Sequence, residues 1–391
     1  MKICIVTGNL IDNYDSSFAF DQALALSGFG HDVVVLALDM RSIRRKRKLG
    51  IRKHNHRGIH ILQYSFPVST IPRKYSAVIE EMCFIDGFKR LTKEYGRFDI
   101  IHSHFLEESY IAVKGKRHLK GSVPVVITEH SSLVHNKRIY LKKRIIEECE
   151  FTYKNADALI AVSESLSETI MDNFDVKCRT VYNVFDNSIF NMHDRENIEG
   201  KPFVFVSAGN LTTNKRMDLL IKVFKLAFNN DPNYILKIFG DGPEYKRLNE
   251  LIHDLELESN VFLMRNRPRY ELAKEYKHSN AFVLLSRKET FGVAYIEAMA
   301  CGLPVISCRS GGPESFVNEK CGCIVEDDKD DIKSAMQSMA AQYKNYSSME
   351  ISRYAENNFS PNAIARQLSD IYKCLIKGDK NSSDYIPDNA D

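Results

Sequence analysis

The sequence predicts an α/β fold of two facing, Rossmann-like, doubly wound domains with a cleft between them. Two observations carry this. Continuous β-branched runs alternate with helix-like segments, and the alternation pauses once in a polar stretch before starting again. At 391 residues, 44% apolar and 27% charged, the chain also exceeds what one hydrophobic core usually holds.

The first series of strands reads Ile3-Cys4-Ile5-Val6, Val33-Val34-Val35-Leu36, Ile100-Ile101, Val125-Val126-Ile127 and Ala158-Leu159-Ile160-Ala161-Val162. Such runs suit parallel strands covered on both faces. Between them the pattern places helices at 18–28, 76–95, 137–154 and 164–173. The segment Asn187 to Pro202 is too polar to pack on both sides, so a hinge is expected at 191–202 after a first domain of 1–190. A second domain, 203–360, then shows strands near 203–207, 234–239, 261–264, 281–285 and 304–307. Its helix at 217–228 keeps Leu219, Leu220, Val223, Phe224 and Ala227 at helical spacing. A last helix, 361–377, is expected to pack back on the N-terminal domain, and 378–391 is polar enough for a disordered tail.

No apolar run approaches the roughly eighteen residues of a membrane span, and Lys2 to Leu10 reads as a first strand, not a signal. The nine cysteines lie scattered in apolar segments, which predicts reduced thiols and a cytoplasmic protein. Cys301, Cys308, Cys321 and Cys323 lack the paired arms of a zinc ribbon and read as buried structural thiols. A net charge of +3 is too small to imply nucleic acid. The basic excess sits in the first 200 residues, with 29 Lys and Arg against 25 Asp and Glu. There Arg41, Arg44, Arg45, Lys46, Arg47, Lys48, Arg52, Lys53 and Arg57 form one run. Lys137, Arg138, Lys142, Lys143 and Arg144 form a second. The 41–57 region is read either as a solvated face or as a peripheral contact with anionic membrane or a phosphorylated acceptor.

The most informative segment is Glu289-Thr290-Phe291-Gly292-Val293-Ala294-Tyr295-Ile296-Glu297-Ala298-Met299-Ala300-Cys301-Gly302-Leu303-Pro304. It follows a strand, contains good helix formers and stops at a Gly with Pro beyond, so a helix starts near Phe291 or Gly292. Its exposed N–H groups suit phosphate or sugar hydroxyls, and Gly292 permits close backbone approach. Glu289 can accept hydrogen bonds from a sugar ring, and Glu297 can hold the paired hydroxyls of a ribose. Read blandly, they are a capping and a surface carboxylate.

This segment resembles, residue by residue, the Glu-x7-Glu signature of the family 4 glycosyltransferases. These are the retaining group of the two-Rossmann-domain glycosyltransferase-B fold. The resemblance runs from Lys2 to about Lys377. It takes in Gly240-Asp241-Gly242-Pro243-Glu244, Gly311-Gly312-Pro313-Glu314, Asp99-Ile100-Ile101-His102-Ser103-His104, Thr128-Glu129-His130, Val162-Ser163-Glu164 and Tyr182-Asn183-Val184-Phe185-Asp186. It implies that Glu289 contacts the transferred sugar and Glu297 the ribose, and that the backbone at Phe291, Gly292 and Val293 meets sugar or phosphate. It further implies that His130 stands near the reacting bond and that backbone near Arg265 meets the base.

Ser207-Ala208-Gly209-Asn210-Leu211-Thr212-Thr213-Asn214-Lys215 resembles the family's Gly-Arg-Leu…Lys element, whose cations clamp the diphosphate. Lys215 matches, but Asn210 stands where Arg is expected. An amide donates hydrogen bonds yet neutralises nothing, so either Arg216 or another cation compensates or transfer is slower. The first loop also departs from the glycine-rich pattern, with Asp15, Ser16 and Ser17 left to present donors to phosphate or acceptor. No Asp-x-Asp pair stands at a convincing strand end, so metal-independent transfer without a cofactor is expected.

The resemblance thus implies a retaining enzyme that moves a sugar from a UDP- or GDP-linked donor to a glycan or polyprenyl-diphosphate-linked acceptor. Bacterial surface polysaccharide synthesis at the inner membrane face is the setting it implies. The alternatives are a phosphorylase or nucleotide-sugar epimerase on the same scaffold, or a non-catalytic nucleotide-sugar-binding partner subunit.

Overall fold

The apolar runs become the central strands of two sheets, because a parallel strand covered on both faces reads as a nearly continuous apolar run. The computed structural model describes residues 1–8, 10, 18–44, 47–119, 123–195 and 202–378. The chain divides into an N-terminal unit, Met1–Val184 joined by Pro361–Asp391, and a C-terminal unit, Phe185–Ser360.

In chain order the N-terminal unit contains β1 (Lys2–Thr7), α1 (Phe18–Gly28), β2 (Asp32–Asp39), β3 (Gly50–His56), β4 (Ile59–Ser65), α2 (Arg73–Tyr95) and β5 (Ile100–His104). There follow α3 (Leu106–Lys116), β6 (Val125–Glu129), α4 (Lys143–Asn155), β7 (Ala158–Ala161), α5 (Glu164–Phe174) and β8 (Arg179–Thr180). One sheet has the order β3-β4-β2-β1-β5-β6-β7-β8, parallel except where β3 meets β4. Ile3, Ile5 and Val6 on β1 are wholly buried, each worth roughly 1.5–3 kcal/mol of transfer energy.

Four of these elements escape the sequence reading: β3, β4, α3 and β8. Gly50–His56, placed within a basic surface run, is an edge strand whose exposure alternates and whose Arg52 and Lys53 guard the edge. Arg57 and Gly58, at φ 47° and 84°, form the two-residue turn into β4. Helix α3 shows no amphipathic period because Leu106, Ile111, Ala112 and Val113 are buried on several sides.

The C-terminal unit contains β9 (Phe203–Ala208), α6 (Met217–Phe228), β10 (Tyr234–Phe239), α7 (Tyr245–Asp254), β11 (Val261–Leu263), α8 (Arg269–Lys277) and β12 (Ala281–Leu284). It ends with α9 (Val293–Ala300), β13 (Val305–Cys308), β14 (Gly322–Val325), α10 (Lys329–Gln342) and α11 (Ser348–Phe359). Its six strands are all parallel, in the order β11-β10-β9-β12-β13-β14. Part of the stretch 191–202 is anchored in this unit. Arg195 donates to the carbonyls of Cys301 (2.9 Å) and Ser279 (3.0 Å), and Lys277 to Asn191 Oδ1 (3.1 Å). Residues 196–201 lie outside the described residues.

Helix α12 (Pro361–Lys377) belongs to the N-terminal unit and packs on α1. Its fully buried Tyr372 hydroxyl is hydrogen-bonded to His102 Nδ1 at 2.6 Å, and His102 Nε2 to Thr128 Oγ1 at 2.7 Å. All nine cysteines are free, and burial raises the thiols of Cys301, Cys308, Cys321 and Cys323. Among the described residues no helix is long and apolar enough to cross a membrane.

Tyr372→Phe leaves His102 with an unmet buried nitrogen. It is expected to cost about 1–2 kcal/mol in urea unfolding of the whole chain. An unchanged midpoint would show that the hydroxyl contributes nothing net.

Candidate functional site

In the C-terminal unit the strand order reverses between β9 and β12, so the loops that follow these two strands lie side by side at their carboxyl ends. In parallel sheets this is where ligands bind. The two loops are stitched together: Arg287 N donates to Asn214 O (2.8 Å) and Asn214 Nδ2 to Lys288 O (2.9 Å). Between them the Lys215 ammonium reaches Glu289 Oε2 at 2.5 Å, with the side chains 20% and 13% exposed.

Glycines set how closely the neighbouring loops approach. A Cβ on Gly312 would stand 2.4 Å from the Phe291 backbone, and the Glu314 carboxylate accepts from Ser310 N and Gly311 N to hold that loop. Glu289 N donates to Ser310 O (2.9 Å) while Gly312 N donates back to Glu289 O (2.8 Å). Gly292, at φ +99°, turns the chain into α9, as the sequence places it. The amides of Val293 and Ala294 lie in its first turn, where no intrahelical acceptor exists. Phe291 contributes backbone there, its side chain being buried against Phe316 and Phe359.

The other expected donor contacts fare differently. Glu297 is buried and ion-paired with Arg269 at 2.9 Å; burial raises its carboxyl pKa and Arg269 opposes the rise. Arg269, at the start of α8, carries no motif signal and was missed in the sequence. Asn210 is exposed at the end of β9. Arg216 is not a free cation beside it: it is buried, at φ 49°, its Nε donating to Leu285 O (2.7 Å) and its Nη1 paired with Asp327. Arg265 is exposed, pairs with Asp241 at 3.3 Å and lies 3.9 Å over the Tyr245 ring.

In the N-terminal unit, Glu129 builds the turn that presents His130. Its buried carboxylate accepts from His130 N (3.0 Å), Ser131 N (2.9 Å) and the Tyr153 hydroxyl (2.7 Å). The His130 ring is stacked between Phe18 and His104, at centroid distances of 5.5 and 5.3 Å, and its Nε2 is hydrogen-bonded to His104 Nδ1 at 3.0 Å. His130 Nδ1 and His104 Nε2 have no hydrogen-bond partner among the described residues. Asn183 faces the His130 ring and favours its charged form, though the pair stands outside hydrogen-bond geometry. Phe105, at φ 66°, turns the chain sharply after β5 and packs on the same ring. Burial pushes His102 and His130 down to about 3, and His104 well below its ordinary value, so all three rings are neutral near pH 7.

Asp15, Ser16 and Ser17 lie outside the described residues, as do Arg45 and Lys46. Elsewhere in the basic run, Arg41 and Arg47 do not face outward as a membrane surface requires. Both are ion-paired with the buried Asp39, and Arg47 also donates to the carbonyls of Arg41 and Ser42. No group of three or more His, Cys, Asp or Glu is arranged for a metal among the described residues.

The family described as Glycosyltransferase Family 4 matches residues 16–188, and that described as Glycosyl transferases group 1 matches residues 188–358. The chain is 27% identical over 301 residues to N-acetyl-alpha-D-glucosaminyl L-malate synthase of Bacillus anthracis, covering 72% of this chain and 76% of that protein. It is 30% identical over 169 residues to the GDP-mannose-dependent alpha-(1-6)-phosphatidylinositol monomannoside mannosyltransferase of Mycolicibacterium smegmatis, covering 41% of this chain and 44% of that protein. Among solved structures, sucrose-phosphate synthase from Thermosynechococcus elongatus superposes with a TM-score of 0.76 at 18% identity, over 96% of this chain and 99% of that one. Anabaena HepE in complex with UDP-glucose gives 0.71 at 14% identity, over 95% and 100%. These superpositions bear out the two parallel α/β sheets expected from the sequence.

The neutral histidines make stability depend on pH with a definite sign. Their folded pKa values lie below the unfolded value near 6.5, so the unfolded chain takes up protons first and stability falls as pH drops from about 6.5 toward 3. His130→Asn should reduce the loss of unfolding free energy between pH 7.5 and 5.5 by about 1 kcal/mol. Equal pH slopes in the two proteins would mean that the His130 ring titrates in the folded chain as it does in the unfolded one.

Proposed function

The chain belongs to the group 1 glycosyltransferases, with a Family 4 N-terminal half, and from this premise we propose that it transfers a sugar, with retention of anomeric configuration, from a UDP- or GDP-linked donor to a glycan or lipid-linked acceptor. The observation that carries the reading is the Lys215–Glu289 pair at the reversal point of the C-terminal sheet, next to the first turn of α9. A departing nucleoside diphosphate gains negative charge as the glycosidic bond breaks. An ammonium and the positive end of a helix are the groups that stabilise it. Glu289 then accepts hydrogen bonds from the transferred sugar, and the Val293 and Ala294 amides donate to sugar or phosphate.

Glu297 offers its carboxylate to the ribose, with Arg269 fixing its position and supporting its charge. Arg265 stands at the end of β11 for the base, its plane already seated on Tyr245. His130 is the contribution of the N-terminal unit: a neutral ring with a free Nδ1 that can donate to or accept from a sugar hydroxyl without adding charge. The acceptor hydroxyl gives its proton to the departing phosphate, so positioning, not a protein nucleophile, lowers the barrier. The names of the mycobacterial relative and of HepE support a nucleotide-sugar donor.

Asn210 favours a second reading, a donor-binding subunit without turnover, because the amide supplies no charge where the family places Arg. Glu289→Gln should lower kcat by at least about a hundredfold while circular dichroism stays unchanged. Asn210→Arg should raise kcat with the same donor. Donor binding by thermal shift without turnover, in the native chain and in Asn210→Arg alike, would favour the second reading. Undiminished turnover in Glu289→Gln would overturn the site.

A further inference from the structure

The His130 ring is packed by Phe18, His104 and Phe105, so only its two nitrogen-bearing edges remain for hydrogen bonding. One edge is taken, because Nε2 lies 3.0 Å from His104 Nδ1. That contact needs one proton between two nitrogens, and two neutral rings can place it in two ways. In the first, His104 Nδ1–H donates to His130 Nε2; the His130 proton then sits on Nδ1, and His104 Nε2 is a bare lone pair. In the second, His130 Nε2–H donates to His104 Nδ1. His130 Nδ1 is then bare, and His104 carries its proton on Nε2.

The surroundings separate the two. Asn183 turns an acceptor toward the His130 ring: its buried Oδ1 has no partner, and the doubly protonated ring is favoured by it. The first placement answers this oxygen with the Nδ1 proton. The second sets a lone pair against the same oxygen. It also leaves an N–H at His104 Nε2, which is buried without an acceptor among the described residues, and an unmet buried donor is costly. His104 is not free to turn away from this choice. It is wholly buried and stacked on His102 at a centroid distance of 4.6 Å, and His102 is held at both nitrogens by Thr128 and Tyr372.

We infer that His104 is a positioning residue that fixes the tautomer of His130, so that His130 Nδ1 is a hydrogen-bond donor to the sugar and not a base. The inference rests on the transfer reading above and gives a direction to the hydrogen bond which that reading assigns to His130. A ring so held takes no proton from the acceptor hydroxyl, because Nδ1 already carries one and Nε2 is occupied by His104. A free neutral imidazole in water prefers its proton on Nε2, so the arrangement opposes the ring's own preference. Without the His104 N–H, part of the His130 population should revert and turn an acceptor toward the sugar.

The test uses the full chain with isotope-labelled histidine near pH 7. Nitrogen NMR reads the tautomer, and the His130 signals are those lost in His130→Asn. The native ring should be Nδ1–H. In His104→Phe, which keeps a stacked ring but removes the N–H, an Nε2–H population should appear. Turnover is followed as nucleoside diphosphate released from UDP-glucose, UDP-N-acetylglucosamine or GDP-mannose with methyl glycosides as acceptors. In His104→Phe, kcat/KM should fall at least about threefold, in proportion to the Nδ1–H fraction that remains. His104→Asn returns an N–H near the place of Nδ1 and should restore both the tautomer and kcat/KM to within about twofold of native. Thermal melts check that each variant is folded. A native ring protonated on Nε2, or a His104→Phe variant that stays wholly Nδ1–H, would overturn the inference. Failure of the transfer reading looks different: the native chain would release no diphosphate from any donor, while the NMR result would still decide the tautomer.

Discussion

The Lys215–Glu289 ion pair depends on one constraint, that β9 and β12 are neighbours although three helices and two strands separate them in the chain. Only this order brings loop 209–216 against loop 285–292. Everything near the pair then serves to hold backbone close to backbone. Gly312 leaves no room for a side chain over Phe291, Gly240 none over the Gly209 carbonyl and Gly242 none over Leu211. A site for a sugar and a diphosphate needs main-chain donors at short range, and glycines at loop crossings provide that without cavities.

The N-terminal unit solves a different problem, presenting a polar ring without presenting a charge. Three histidines, two on β5 and one just after β6, would repel one another if protonated, and burial keeps them neutral instead. The hydroxyls of Thr128 and Tyr372 satisfy His102, and His104 satisfies one nitrogen of His130. This leaves His130 Nδ1 and His104 Nε2 without partners among the described residues, and on the proposed reading it is His130 Nδ1 that meets the sugar. Glu129 fixes the ring's direction through the backbone, so the Thr128-Glu129-His130 sequence acts as one device.

Much of this was legible in the sequence. The central strands were, because burial on both faces writes itself as an unbroken apolar run, and α9 was, because Gly292, Gly302 and Pro304 mark its ends. The hairpin of β3 and β4 was not: an edge strand facing solvent takes charged residues, and Arg52, Lys53 and Arg57 read as surface. Arg216 looked like a spare cation because a basic residue beside Lys215 gives no hint that its φ of 49° turns it inward to Leu285 and Asp327. Arg269 was invisible for the converse reason, since nothing local relates the first turn of α8 to Glu297. Long-range ion pairs of this kind arise from packing and leave no spacing to detect.

On the proposed reading, with Arg216 committed and Asn210 uncharged, the cationic role in the loop after β9 falls to Lys215. At 20% and 13% exposure Lys215 and Glu289 are screened less than a surface pair, so separating them is favourable only if each meets a replacement partner. A diphosphate brings more negative charge than one carboxylate, so transfer of the ammonium from Glu289 to phosphate costs little. On the proposed reading it also frees the Glu289 oxygens for the sugar hydroxyls. On the proposed reading the pair thus keeps the groups for phosphate and for sugar side by side, each occupied by the other until the donor binds.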